Sequence, residues 1–477
     1  MALIPFSESH EVAQVSRLPG SAPGQPASGD HQAPLRLLIV TGLYDVQTAG
    51  NQSLKNTLIW LSQGGLSIDL FSIYPHGYPT LQAPSIFGPE VRVRRLPRWL
   101  NWLFHLGKWI KDSLGRWKAK GSTARQDVRE SAGIYAEYNW FGRLTHIAFM
   151  FLLCVPVQLI RAGLFCCARK PDLLYGLNCQ GALPASLLGR LFHIPVVTRF
   201  HGVATRPEGL SRWRHRLWHL DEIAGLRAPS RAVVVTNDGT RGDETLKRLG
   251  VPPERVYYWM NGFDVADLRC PEGYDAARFK AEVGLEGKHV VLMLCRLAGS
   301  KRVDRGIVAV ADLVHRCGRR DVVLLVAGAG GKRGELEALC RRLGVEPFVR
   351  FLGAVPHSEA YKYYTIADVF LNLYDVSNLG NPLIEAMYFG KPIVTIDDGS
   401  TAVLLRDQEN AILVDPARIA EELPRWISAL LADRSLRETL GKAARATFDE
   451  KVLTWQARMA LEERLLRQVQ EMSSRVE

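Results

Sequence analysis

The sequence lacks the residue patterns that usually hold a metal ion or a dinucleotide. It contains no Asp-x-Asp triplet, and its 8 cysteines form neither a Cys-x-x-Cys pair nor a cluster with histidine at zinc-ligand spacing. Gly328 and Gly330 follow an apolar run, but Arg333 stands where a dinucleotide fingerprint needs its third glycine. These absences disfavour a metal-chelated diphosphate and a dehydrogenase. They also indicate that the cysteines are reduced thiols of a cytosolic protein.

The sequence has few signs of a membrane leader or span. No basic segment followed by a long apolar run stands near Met1, so no secretory signal is expected. Residues 1–34 are rich in Ser, Gly, Gln and Pro, which is typical of a disordered tail. The apolar run at 147–160 contains Pro156 and stops at Arg161, and it is short for a membrane span. A buried or partly inserted helix is expected there.

The formal net charge of +11 is concentrated in one segment. Residues 92–129 hold 11 basic and 2 acidic residues, which leaves the rest of the chain nearly neutral. Because a nucleic-acid partner would need cations spread along a groove, this distribution disfavours nucleic acid. The segment carries Trp99, Trp102, Lys108, Trp109 and Lys111. Interleaved aromatic and basic residues favour an interfacial helix on an anionic membrane, and the alternative is a helix whose tryptophans pack on their own domain.

Strand-like apolar runs alternate with helical segments twice along the chain. The first series begins at 35–40, and the second begins after the polar stretch 264–288. A chain of 477 residues with 47% hydrophobic content can build two cores. The pattern predicts an α/β protein with two Rossmann-like, doubly wound parallel-sheet domains that face a central cleft. The predicted boundaries are a tail at 1–34, an N-terminal domain at 35–264 with a basic and aromatic insertion at 92–145, a C-terminal domain at 265–452, and a helix at 453–477 that packs back toward the N-terminal domain.

Two cations mark the loop after the first strand of the second series. Arg296 and Lys301 lie within one strand-to-helix loop, so both side chains can reach one anion. Fixed cations of this kind stabilise the charge that develops on a departing diphosphate. The alternative is a solvated basic loop.

A helix start with anion-binding features follows at Gly380. Asn381 is predicted at the N-cap and Pro382 at the first helical position, since both residues favour those places. Backbone amides at such a helix start suit a phosphate or a sugar hydroxyl. Glu385, one turn into the helix, could accept hydrogen bonds from a ribose diol. Alternatively, it only stabilises the helix N-terminus by its charge.

Several segments together resemble the family-four retaining glycosyltransferases of the GT-B fold, the glycosyl transferases group 1. LCRLAGSKR is similar to the family's G-R-L-x-x-x-K segment, VRFLGAV to its F-x-G-x-V segment, and MNGFD to its N-G-x-D segment at the domain junction. LGNPLIEAMYFGKPIVT is similar to the second half of its Glu-x7-Glu region. The resemblance runs from about residue 35 to the last helix.

The resemblance implies roles for individual residues. Arg296 and Lys301 fall on the diphosphate-binding pair, Glu385 on the glutamate that holds the ribose, and Val355 where backbone meets the nucleotide base. Gly380 and Asn381 belong to the same predicted donor site.

Two further positions come from the N-terminal half of the chain. His201 matches the family histidine near the donor sugar, so the implied catalytic set is Arg296, Lys301 and His201. Without the family, an ordinary histidine at a strand end is the simpler interpretation. Gly50 stands where the family keeps glycine so that backbone can approach the substrates.

The sequence departs from the family at the sugar end of the site. Ser377 occupies the place of the first glutamate of the Glu-x7-Glu pair, and Asn378 and Leu379 replace a glycine-aromatic pair. Asp375 or Asn378 could supply another polar contact, but spacing alone does not decide between them. Ser377 and Asn378 are kept in the predicted donor site.

The resemblance implies transfer of a hexose from a UDP or GDP sugar to a hydroxyl of a lipid-linked or polysaccharide acceptor, in cell-surface glycan synthesis. It further implies retention of anomeric configuration and no metal or separate cofactor. The donor would bind the C-terminal domain and the acceptor the N-terminal one. With the basic segment, this places the protein in the cytoplasm, peripheral on the inner face of the plasma membrane. A catalytically silent scaffold and a sugar-nucleotide epimerase of the same fold remain alternatives.

Overall fold

The computed structural model describes residues 35–42, 52–72, 90–94, 140–265 and 268–474. The predicted tail and Gly50 lie outside these residues, as do the predicted membrane contacts Trp99, Trp102, Lys108, Trp109 and Lys111. The chain divides into two domains. The first comprises Met1–Asn237, Arg241–Gly262 and Trp455–Glu477, and the second comprises Asp238–Thr240 and Phe263–Thr454.

The first domain is built on a seven-stranded parallel sheet in the order β3-β2-β1-β4-β5-β6-β7. Its strands are β1 Arg36–Thr41, β2 Ser67–Phe71, β3 Val91–Arg94, β4 Leu173–Leu177, β5 Val196–Phe200, β6 Ala232–Thr236 and β7 Val256–Trp259. Its helices include α1 Gln52–Gln63, α2 Trp140–Arg169, α3 Asn178–Phe192, α4 Trp213–Trp218, α5 Leu220–Leu226 and α6 Gly242–Arg248.

The second domain has a six-stranded parallel sheet in the order β10-β9-β8-β11-β12-β13. The strands are β8 His289–Leu294, β9 Val322–Ala327, β10 Val349–Gly353, β11 Val369–Asn372, β12 Ile393–Ile396 and β13 Ile412–Val414. The helices are α7 Ala276–Glu282, α8 Val303–His315, α9 Arg333–Leu343, α10 Ala360–Ile366, α11 Asn381–Tyr388, α12 Ile419–Ala432 and α13 Arg434–Lys451. The strand order reverses between β8 and β11, and ligands of open α/β sheets bind at such a switch point.

Continuous apolar sequence explains why these strands are central. Val322–Ala327 reads VVLLVA and is buried at every position, as expected for a strand covered on both faces. The core of this domain packs β8, β9 and β11 against the apolar face of α8, which includes Ile307, Val310 and Leu313. The predicted α/β class with two Rossmann-like parallel-sheet domains is confirmed.

The last helix, α14 Trp455–Ser474, belongs to the first domain. Its buried face, with Trp455, Met459, Leu465 and Leu466, joins the core formed by β1, β4 and α1. The same face carries Glu462, whose side chain is fully buried. This helix therefore completes the first domain although it follows the second in sequence.

A buried polar network fixes α14 to the sheet. Arg199 of β5 approaches Glu462 at 2.7 Å, and Arg458 approaches it at 3.0 Å. The hydroxyl of Tyr175 also donates to Glu462, and Arg199 donates to Thr57 at 2.6 Å. Burial would raise the pKa of Glu462, but the two guanidinium groups outweigh it and leave the pKa lowered.

The helix α2 corrects the sequence prediction for residues 147–160. It runs without a break over Trp140–Arg169, with a π-helical turn at Met150–Cys154 just before Pro156. The apolar run at 147–160 is therefore only the middle of a longer helix, which begins before the run and continues past Arg161. Among the described residues it is the one helix long and apolar enough to cross a membrane by length and composition.

One side of α2 nevertheless packs on the first domain. Arg143 is buried, donates to the carbonyl of Trp218 at 2.6 Å and pairs with the buried Asp221. Gln158 donates to the carbonyl of Thr41, and Arg161 donates to the carbonyl of Ser72 at 3.1 Å. Polar side chains thus attach one face of α2 to the rest of the first domain.

Candidate active site

The predicted cationic pair lies at the carboxyl end of β8. Arg296 is exposed in the loop before α8, and Lys301 ends a short 3-10 turn in the same loop. The Lys301 ammonium lies 3.8 Å from the centre of the buried Tyr374 ring. Burial lowers the pKa of Lys301 to about 8. At neutral pH the side chain is therefore mainly charged, but close to losing its proton.

A glycine turn supports this loop. The Leu297 amide donates to the carbonyl of Ala329 at 3.0 Å, and the Lys332 amide donates back to the carbonyl of Leu297 at 3.1 Å. A Cβ atom on Gly328 would lie 1.8 Å from the carbonyl oxygen of Cys295. Gly328 and Gly330, the glycines that suggested a dinucleotide turn, thus let the backbone after β9 lie close to the Arg296 loop.

The loop after β11 is held by both acidic and amide side chains. Asp375 pairs with Arg305 at 2.8 Å and with Arg302 at 3.3 Å. Asn378 is fully buried and donates to the carbonyl of Tyr374 at 3.2 Å and to Asp398 at 3.1 Å. Both candidates for the missing sugar contact are therefore engaged in shaping the loop.

The helix α11 begins one residue earlier than the sequence predicted. Gly380, not Asn381, is the N-cap, and Asn381 and Pro382 are the first two helical residues. Gly380 has an extended backbone with φ −79° and ψ 165°, and its carbonyl accepts the first helical bond, from the Leu383 amide at 3.0 Å. The reason for the error is that proline favours the whole first turn, so it does not fix the cap to one residue.

Glu385 is buried with an exposed fraction of 2%. One carboxylate oxygen accepts from the Tyr364 hydroxyl at 2.8 Å, and the other lies 3.1 Å from Nε2 of His357. Burial and the nearby Glu385 raise the pKa of Tyr364 well above its usual value. The carboxylate is therefore oriented by two partners, which goes beyond an exposed charge that only stabilises a helix start.

The partners of Glu385 were missed by the sequence analysis. His357 lies two residues after Val355, which itself follows β10 and is partly buried. Its place just beyond the F-x-G-x-V segment was a usable signal. Tyr364 gave none, because its position in α10 is that of an ordinary core residue.

His201 belongs to the first domain and directly follows β5. Its backbone amide donates to the side chain of Asn178 at 3.0 Å. Burial, together with the charges of Arg199 and Arg458, lowers the pKa of His201 well below its usual value. The imidazole is therefore neutral at physiological pH. Within the part of the chain that the structure describes, no three His, Cys, Asp or Glu side chains form a group that could hold a metal ion.

The second domain thus places a half-buried lysine, an exposed arginine and an oriented carboxylate at the edge of a doubly wound sheet. Such an edge is typical of nucleotide-binding α/β proteins. Residues 275–447 match the family glycosyl transferases group 1. The matched residues lie within the second domain, and the match confirms the resemblance predicted from the motifs.

Known proteins with similar sequences are glycosyltransferases. The chain is 26% identical to the alpha-D-kanosaminyltransferase of Streptomyces kanamyceticus, over 56% of this chain and 70% of that protein. It is 32% identical to a D-inositol 3-phosphate glycosyltransferase of Streptomyces bingchenggensis, over 44% of this chain and 48% of that protein. The matched part of the chain therefore spans 70% of the length of the first relative and 48% of the length of the second.

The fold of most of the chain resembles a solved structure. The crystal structure of Anabaena HepE in complex with UDP matches with a TM-score of 0.63 and 17% identity, covering 90% of this chain and 99% of that one. This likeness shows the GT-B fold.

Proposed function

We propose that the protein transfers a hexose from a nucleoside diphosphate sugar to an acceptor hydroxyl, with retention of anomeric configuration. The observation that carries this proposal is the edge of the second sheet, where Lys301, Arg296 and Glu385 lie in a group 1 domain. A UDP sugar is the favoured donor, because HepE has been solved with UDP and with UDP-glucose. Glu385 binds the ribose, and Val355 lies beside the base.

Leaving-group stabilisation is the main chemical task of this site. As the glycosidic bond breaks, the diphosphate gains negative charge, and Lys301 and Arg296 stabilise that charge in place of a chelated metal. The half-buried setting of Lys301 strengthens this attraction, since less water screens it. The departing diphosphate oxygen accepts the proton of the attacking hydroxyl. No protein nucleophile and no separate cofactor are assigned.

Substitution of Lys301 tests this proposal. Lys301→Ala should lower the rate of UDP release from UDP-glucose about a hundredfold, as for removal of other fixed electrostatic donors. Lys332→Ala is the matched control, because Lys332 is an exposed lysine of the next loop that pairs with Glu335 at 2.6 Å. Equal rates for the two variants would contradict the phosphate role of Lys301.

The silent scaffold remains the second candidate, and Ser377 is the residue that favours it. A nucleotide sugar that binds only the folded state raises the unfolding temperature. Stabilisation by UDP-glucose without turnover on any hydroxyl acceptor would support the scaffold. Conversion of UDP-glucose into an epimer, without acceptor, would support the epimerase.

We further propose that the protein acts at the inner face of the plasma membrane on a lipid-linked or polysaccharide acceptor. The support is an apolar stripe along α2 and α3 with large exposed side chains: Leu152 is 77% exposed, Ile160 63%, Leu164 67% and Leu191 69%. The two helices that carry these side chains are in contact with each other, and large apolar side chains exposed on neighbouring elements are typical of interaction sites. Since the opposite side of α2 is anchored to protein by Arg143 and Gln158, attachment along the surface is favoured over a span.

Vesicle flotation tests the membrane proposal. The variant Leu152→Ser/Leu164→Ser should float less with anionic phosphatidylglycerol vesicles than the wild type. Val308→Ser is the control, because Val308 is also an exposed apolar residue but lies on α8 of the second domain. Undiminished flotation of the double variant would contradict the role of the stripe.

A further inference from the structure

A second carboxylate lies at the sugar end of the site, and it comes from a distant part of the sequence. Asp238 follows β6, yet residues Asp238–Thr240 group with the second domain. The hydroxyl of Ser377 donates to Oδ2 of Asp238 at 3.0 Å. Asp238 therefore touches the residue that replaces the family glutamate.

Hydrogen bonds and a close backbone contact hold the loop that carries Asp238 against residues 377–379. The Leu379 amide donates to the carbonyl of Asp238 at 3.0 Å, and the Thr240 hydroxyl donates to Oδ1 at 2.6 Å. Gly239 has φ +85°, and a Cβ atom on it would lie 2.8 Å from the Asn378 amide nitrogen. Only glycine allows so close an approach, so this backbone fixes the carboxylate against residues 377–379.

The surroundings of Asp238 match those of a group that meets a sugar next to a diphosphate. Burial raises the pKa of Asp238, while hydrogen bonds from Thr240 and Ser377 and the positive charge of Lys301 oppose that rise. Asp238 is thus electrostatically coupled to the lysine assigned to the diphosphate. Asp375, which is closer to Ser377 in the sequence and was the other acidic candidate for the sugar contact, is already paired with two arginines.

The serine at 377 also has a physical explanation in this arrangement. Ser377 has a left-handed backbone with φ 65°, and its side chain points its hydroxyl at Asp238. A glutamate at this position would bring a second carboxylate against Asp238, and like charges so close disfavour each other. Ser377 and Asp238 therefore form a compatible pair, whereas glutamate and Asp238 do not.

We propose that Asp238 supplies the carboxylate that binds hydroxyl groups of the donor hexose, and that Ser377 positions it. The assignment rests on the proposed transfer from a nucleotide sugar. In this chain the sugar contact has moved from residue 377 to the loop after β6. The chain therefore keeps a complete donor site despite its departure from the family pattern.

The test compares binding of UDP-glucose and UDP by calorimetry. Asp238→Asn should weaken UDP-glucose about tenfold or more, as expected for loss of charge-assisted hydrogen bonds, and leave UDP within about twofold. Asp304→Asn removes an acidic partner of Arg302 in the same domain and should leave both affinities unchanged. The double variant Asp238→Asn/Ser377→Glu should recover much of the UDP-glucose affinity, whereas Ser377→Glu alone should lose it.

The outcomes separate the two proposals. Equal weakening of UDP and UDP-glucose by Asp238→Asn, or no change in either, would overturn the role of Asp238 while leaving the donor proposal intact. Failure of the wild type to bind either compound would overturn the proposed donor and the Asp238 assignment with it. Thermal unfolding of each variant reports whether the fold is retained.

Discussion

Replacing Glu462 by glutamine tests how α14 is held. Glu462 is the acidic partner of Arg199 and Arg458 inside the first domain, and all three side chains are at most 2% exposed. Glutamine keeps the shape and some hydrogen bonds but removes the negative charge. Two buried guanidinium groups then lack their counterion.

The magnitude follows from this burial. Removing one partner of a buried ion pair costs about 3–5 kcal/mol, because the remaining charge stays desolvated. The adjacent residue supplies a matched control. Glu463 pairs with Arg467 at 2.8 Å, with side chains 22% and 33% exposed, and loss of such a surface pair costs about 0.2–1 kcal/mol.

Urea unfolding provides the assay. Tryptophan fluorescence should report a first-domain transition, since Trp455 and Trp259 lie around the network. We expect Glu462→Gln to move this transition to clearly lower urea and Glu463→Gln to shift it only slightly. If both variants shift it by the same small amount, the network does not stabilise the helix and the reasoning is refuted.

Three further predictions concern the second domain. UDP affinity, measured by calorimetry, should fall about tenfold between pH 7 and pH 9, because Lys301 with a pKa of about 8 loses its charge over that range. The variant Lys301→Arg keeps its charge and should make the affinity nearly independent of pH over the same range. Glu385→Gln should weaken UDP about tenfold but leave inhibition by inorganic pyrophosphate unchanged, since only the ribose contact is altered; equal loss for both would contradict the ribose role. Gly328→Ala should lower the free energy of unfolding, measured by urea titration, by more than ~1 kcal/mol, because its Cβ atom would lie 1.8 Å from the Cys295 carbonyl oxygen. Gly331→Ala is the control and should change this free energy little, because no atom lies within 4 Å of the added Cβ.

The sheets were predictable because local sequence decides them. Strands such as Val322–Ala327 are short, continuously apolar and rich in valine, and a helical segment follows. The loop with Arg296 and Lys301 then had to lie at the carboxyl edge of β8. The resemblance of the second domain to the glycosyl transferases group 1 was also predictable, because the motifs that carry it are contiguous in sequence.

The remaining features depend on contacts between distant residues. Asp238 reaches Ser377 only through the close approach of Gly239, and Glu385 is oriented by Tyr364 from another helix. Neither contact can be recognised from the residues next to it in the sequence. The length of α2 was underestimated because the apolar run stops at Arg161, whose side chain instead donates to the carbonyl of Ser72, a residue distant in sequence.

The position of α14 sets the order in which the domains can be finished during synthesis. The second domain has all its strands and helices once Thr454 has been made. The first domain still lacks Trp455, Met459 and Glu462 at that moment, so the part of its core that α14 covers stays open and Arg199 lacks its carboxylate partner. The domain translated first is therefore the one completed last, and its nascent form exposes apolar surface that chaperones recognise.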